Sequence, residues 1–260
     1  MGEGEIFDLK KDFYVAKPGD TAAEINRRLA AGKHILFQPG FYELEVPLHI
    51  TRPNTIVMGL GWTTLIPGAG NPESALIIDD LDGVTVASLL FDAHYSSKTL
   101  VRVDGNGISH AHNPTLLSDV FFRVGGFRSA PVHVDCALEI NANDVVGDHF
   151  WIWRADHGIE NSVGWEVNTS PCGLHVTGND VTIYGLFNEH FQQYQTFWEG
   201  ERGRVFFYQC ETPYDAGHQE RYMSENGTRP GYAAYKVADK VNVHSAYGLG
   251  IYDVYFGTNI

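Results

Sequence analysis

One short phrase recurs along this chain and constrains its fold more than any other feature: a polar or glycine residue, then valine, then an alternating strand. It reads Asp82-Gly83-Val84-Thr85-Val86, Ser118-Asp119-Val120-Phe121-Phe122 and Asn143-Asp144-Val145-Val146. It returns as Asn179-Asp180-Val181-Thr182-Ile183, Gly203-Arg204-Val205-Phe206-Phe207 and Asp239-Lys240-Val241-Asn242-Val243. The valines fall 36, 25, 36, 24 and 36 residues apart. Periods of about 20 to 50 residues mark a solenoid. Strand-like text with almost no helix between repeats argues against a βαβ array. It favours stacked strands whose loops absorb the length differences. The expectation is an all-β right-handed parallel β-helix, one domain over residues 1–260 without an internal boundary.

One helix is expected, over residues 20–31. Thr21 and Glu24 stand at capping-box spacing, Ile25 and Leu29 share a face, and Gly32 can end it. It would close the N-terminal end of the solenoid, where an open strand edge invites aggregation. Three cysteines, Cys136, Cys172 and Cys210, form no disulfide framework and read as small buried residues on successive coils.

Side chains alternate along a strand, so the repeat assigns faces. Val84, Val120, Val145, Val181, Val205 and Val241 are expected inside, with Val86, Phe122, Gly147, Ile183, Phe207 and Val243 two residues on. Three residues past each valine runs an outward column of Ala87, Arg123, Asp148, Tyr184, Tyr208 and His244. It reads either as a solvated face or as the floor of a groove, where rings stack on sugar faces and polar groups meet hydroxyls.

Just beyond these strands lie three dense polar and aromatic segments: 148–158, 188–198 and 208–215. The repeat puts them on one side of consecutive coils, so Asp156, Glu189 and Glu211 are expected within reach of one another. Glycoside hydrolysis needs such a set, one carboxylic acid to protonate the leaving oxygen and a carboxylate to act as base or nucleophile. Glu189 or Glu211 is expected as the acid and Asp156 as its partner. Asp148, Trp153, Arg154, His157, His190, Tyr184, Gln193, Tyr194, Trp198, Tyr208 and His244 are the candidate substrate contacts. Each of these also has a plainer reading, satisfying the amides of turns and loops. His149, His157, His190 and His244 fall in the same register but lack tight metal-ligand spacing. They are expected to orient carboxylates or meet sugar hydroxyls, with no metal and no cofactor.

Composition narrows the partner. Net charge is −14 with histidine counted neutral, which repels nucleic acid, anionic membranes and anionic polysaccharides but not a neutral glycan. No apolar run is long enough for a membrane span, and the acidic start lacks a signal-peptide core. That start suits either a cytoplasmic protein or a part of a secreted one.

Three stretches carry a resemblance: Trp153-Arg154-Ala155-Asp156-His157-Gly158, Gly185-Leu186-Phe187-Asn188-Glu189-His190 and Gly231-Tyr232-Ala233-Ala234-Tyr235-Lys236-Val237. Through them the chain resembles large bacterial and fungal β-helix proteins, often given a discoidin-type or F5/8-domain label. It is similar in architecture to the twin β-helices of glycoside hydrolase family 55 β-1,3-glucanases. The resemblance implies a pectate-lyase-like solenoid, a secreted setting, a neutral β-glucan substrate and a catalytic glutamate. It also implies that this chain holds one of two helical modules, and the exposed end coils add self-association as a further expectation. The leading expectation is therefore a glycosidase for a neutral polysaccharide. The alternatives are a non-catalytic glycan-binding or structural β-helix, and a polysaccharide lyase, for which Arg154 and Arg202 are the available cations.

Overall fold

The computed structural model describes residues 5–254. They wind as a right-handed parallel β-helix. One sheet stacks Phe13–Ala16, His34–Phe37, Ile56–Gly59, Thr85–Ala93, Leu116–Val124, Val146–Arg154, Thr182–Glu189, Gly203–Glu211 and His244–Tyr252, each strand parallel to the next. The facing sheet stacks Leu48–Ile50, Leu76–Ile78, Ser97–Val103, Val132–Ile140, Cys172–Val176, Tyr194–Trp198 and Tyr235–Val237, again parallel. The apolar sets of both sheets meet between them in one continuous core.

The expected helix forms over Ala22–Ala30. The Thr21 hydroxyl accepts from the Glu24 N–H, but the Glu24 carboxylate turns to Arg27 and Arg28 rather than back to the cap. The Glu45 carboxylate accepts from the N–H groups of Ala22 and Ala23, where the helix dipole favours negative charge. Ala22, Ile25 and Leu29 are buried, and the Asn26 side chain bonds the backbone at Pro47 and His49. The helix thus closes the first coil through packing and hydrogen bonds together.

A stacked bulge runs through the site-bearing sheet. Ser88, Asp119, His149, Gly185, Phe207 and Gly248 occupy one ladder position on six successive coils, and all have φ between 52° and 68°. A bulge inserts a residue and reverses the alternation beyond it. This corrects the expected register. The first inward column is Val86, Leu117, Gly147, Ile183, Val205 and Ala246, and the next is Leu89, Val120, Phe150, Leu186, Tyr208 and Leu249. Val120 and Val205 face inward as expected but stand farther along their strands than Val84. Phe207 is the bulge residue itself and points out, whereas Tyr208 points in and donates its hydroxyl to Ala234 O. Val243 is exposed, because it precedes the His244–Tyr252 strand on the last described coil. Cys136 and Cys172 are paired on neighbouring coils, but Cys210 lies in the other sheet.

Candidate active site

Beyond the bulge, two outward columns form a cleft. The first carries Leu90, Phe121, Trp151, Phe187 and Gln209, and the second carries Asp92, Arg123, Trp153 and Glu189. The His190 N–H donates to Glu211 O at 2.8 Å, which sets Glu211 beside Glu189 on the next coil. Tyr252 follows Glu211 in the same ladder. Neighbouring positions are ~4.8 Å apart along the solenoid. A hollow of about 540 Å³ opens there, lined by Phe121, His149, Trp151, Phe187, Glu189, Gln209, Glu211 and Tyr252. Phe121 and Trp151 also line an adjoining trough of about 640 Å³ that runs past Trp153 to Trp62.

The two glutamates have different surroundings. Glu189 is only 9% exposed, and the Trp151 indole N–H donates to its carboxylate at 2.7 Å. Burial raises its pKa above the ordinary glutamate value, although the Trp151 and Gln209 hydrogen bonds and the nearby His190 pull the other way. The Tyr214 phenol donates to Glu211. The same phenol oxygen lies 3.2 Å from His190 Nε2, and burial together with the Glu211 charge pushes its pKa up. His190 is buried, its Nδ1 is 3.2 Å from Thr212 O, and its Nε2 lies 3.9 Å from both Asp156 and Glu211. Two of the three expected carboxylates, Asp156 and Glu211, therefore flank one imidazole. Glu189 and Glu211 line the hollow, while Asp156 reaches it through His190 and bonds His157 at 2.8 Å.

A buried cation anchors this arrangement from behind. Arg154 is fully buried and donates to the backbone oxygens of Asn168, His190 and Gly164. It also forks onto Asp215 at 2.7 and 2.9 Å, a bidentate geometry that fixes orientation. Asp215 follows Tyr214, so the clamp holds the loop that places the phenol on Glu211.

Several expected substrate contacts lie elsewhere. Arg154 belongs to the interior clamp. Trp198 and Tyr208 are core residues, because the Trp198 ring faces inward from the other sheet and the bulge turns Tyr208 inward. His190 is a buried contact of Tyr214 and not a cleft surface. His244 packs edge-on against Trp198 and bonds the Tyr235 hydroxyl at 2.7 Å. Gln193 stands exposed at the turn into the second sheet, and Tyr194 begins a strand of that sheet, stacked on Phe197. Asp148 and Tyr184 do face outward, but before the bulge and one column aside, where Tyr184 stacks on Phe206. Trp153 stands in the cleft, stacked on Trp151, with His157 exposed over it. The sequence reading left out Trp151, Phe187, Gln209 and Tyr214. The first three share a ladder column, a signal visible only once the bulge is placed.

Among the described residues, no group of three or more histidine, cysteine or carboxylate side chains is arranged to hold a metal ion. No helix of the described residues is long and apolar enough to cross a membrane.

A parallel β-helix with paired glutamates in an aromatic cleft on one sheet face defines the class as a pectate-lyase-like solenoid. The chain belongs to the LAM55 pectate lyase-like domain family, whose model matches residues 13–211. It is 48% identical over 260 residues to an exo-β-1,3-glucanase of Streptomyces sp. (strain SirexAA-E / ActE), which covers 99% of this chain and 41% of that protein. It is 26% identical over 156 residues to a glucan 1,3-β-glucosidase of Cochliobolus carbonum, covering 59% of this chain and 19% of that one. The solved structure of sacteLam55A from Streptomyces sp. SirexAA-E superposes with a TM-score of 0.87 at 47% identity, over 93% of this chain and 43% of the other. A glutamate-to-alanine variant of that protein, solved in complex with glucose, superposes with a TM-score of 0.86. This chain thus spans less than half the length of the glucanase and its structure.

Proposed function

We propose that this chain carries the acid–base pair of a glycoside hydrolase for neutral β-1,3-glucan, formed by Glu189 and Glu211. The observation that carries this reading is the placement of both side chains on neighbouring coils in one ring-lined hollow. One carboxyl protonates the leaving glycosidic oxygen, and the other assists water or attacks the sugar. Burial raises the pKa of Glu189, which suits a proton donor. Asp156 and His190 act behind the pair, holding Tyr214 and Glu211 in place. The relatives support the substrate class, being a named exo-β-1,3-glucanase and a structure holding glucose.

A lyase would need a free cation to neutralise a uronate. Arg154 is locked in the interior clamp, and Arg202 is paired with Asp180 at 2.7 Å. The cleft rings instead suit the apolar C–H faces of neutral sugars.

The test is release of reducing ends from β-1,3-glucan by the purified chain, compared with Glu189→Gln and Glu211→Gln. Both variants are expected to fold, retain glucan binding and lose turnover by at least about a hundredfold. Activated aryl glucosides then assign the roles, since they spare the variant that lacks the acid. Full activity in either variant sinks the pair. A wild-type chain that binds glucan without cleaving it would instead establish a binding module.

A further inference from the structure

Phe207 breaks two local rules at once. Its backbone is left-handed, with φ +66°, where a bulky side chain is an outlier. The residue is 60% exposed, although an aromatic side chain gains most from burial. The bulge does not require phenylalanine there. At the same ladder position the flanking coils carry Gly185 and Gly248, which adopt this conformation without strain. These glycines leave room around the ring, and a Cβ on Gly248 would touch it at 3.9 Å. The Phe207 ring stands edge-to-face on Phe187, with centroids 5.9 Å apart and planes at 78°. Phe187 in turn lines the hollow that holds Glu189 and Glu211. Local strain and an exposed ring together, at the margin of a cleft, are what a fold retains for function and not for stability.

We propose that Phe207 is a substrate-contact residue whose exposed ring forms the platform for one sugar of a β-glucan seated against the glutamate pair. The negative face of the ring meets the C–H face of the sugar, and the stacked bulge holds the ring upright at the rim. Phe187, packed on its edge, fixes its tilt. This assignment rests on the hydrolase reading above and deepens it.

The experiment compares Phe207→Gly and Phe207→Tyr with the wild-type residue, the affinities being read in the Glu211→Gln background, which is expected to bind without cleaving. Calorimetric titration with a β-1,3-linked glucohexaose gives affinity, and thermal melts of the same samples give stability. Phe207→Gly is expected to melt about 2–4 °C higher, because the strain is relieved. It is also expected to bind roughly five- to tenfold more weakly, because the platform is gone. Phe207→Tyr keeps the ring and should keep the affinity. Unchanged affinity in Phe207→Gly overturns the assignment while leaving the hydrolase reading intact. A lower melting temperature in that variant also overturns it, since the ring would then serve the fold. If the wild-type chain neither binds nor cleaves the hexaose, the hydrolase reading fails and the assignment falls with it.

Discussion

Glu189 is held among rings and solvent is largely excluded from it, so its charged form is penalised in the folded chain. Its folded pKa lies above the ordinary glutamate value of 4.5. The stability linked to that proton is fully present below 4.5 and is lost as pH rises through the folded value. Glu189→Gln carries no titrating group. Its unfolding free energy should match the wild type near about pH 4 and exceed it near about pH 7. Urea denaturation at the two pH values checks this, and a wild-type advantage at pH 7 would show that hydrogen bonds to the carboxylate outweigh its burial. Arg154 is the opposite case, a buried charge with every partner in place. Arg154→Met strands Asp215 and three carbonyls. It should cost about 3–5 kcal/mol in the same measurement. It should also reduce turnover in the fraction that stays folded, since the Tyr214 loop loses its anchor.

At the scale of the strand, the stacked bulge decides which side chains reach the cleft. The solenoid, its capping helix and the inward set at Val84, Val145 and Val181 were legible in the sequence, because apolar alternation and recurring punctuation report them directly. Glu189 and Glu211 were legible as well, as the acidic residues ending two neighbouring repeats. The bulge was not, because only two of its six positions, Gly185 and Gly248, carry the residue that signals a left-handed backbone most directly. Carrying simple alternation across it placed Tyr208 outside and Phe207 inside, the reverse of the structure. Trp198 was misplaced for another reason: it sits in the facing sheet, where the repeat gave no phase. Its neighbour shows how tightly that interior is fitted. Gly203 has no strained φ, yet a Cβ there would lie 2.3 Å from the fully buried Trp198 indole. Gly203→Ala should therefore destabilise the coil by about 1–3 kcal/mol through overpacking, read by chemical denaturation. A neutral result would mean that the indole has room to shift.

Across the whole molecule, charge and cleft point in different directions, and the difference is measurable. The chain carries a net charge of −14, but Trp62, Phe121, Trp151, Trp153, Phe187 and Tyr252 give the cleft a run of rings. The proposed neutral glucan would meet the rings without a Coulombic term, so salt would have little to screen. Its affinity should change by less than about twofold between ~0.05 and ~0.5 M sodium chloride. A carboxymethylated β-glucan of the same linkage approaches against the field of the molecule. It should bind more weakly at low salt and recover part of the difference as salt rises. Titrating both polymers across the same salt series separates the two contributions. Steep weakening of neutral-glucan binding with salt would mean that charged groups carry recognition, and it would remove the aromatic cleft from its central place. Equal affinity for both polymers at low salt would mean that the acidic field does not extend over the cleft, leaving shape and ring contacts as the whole basis of selection.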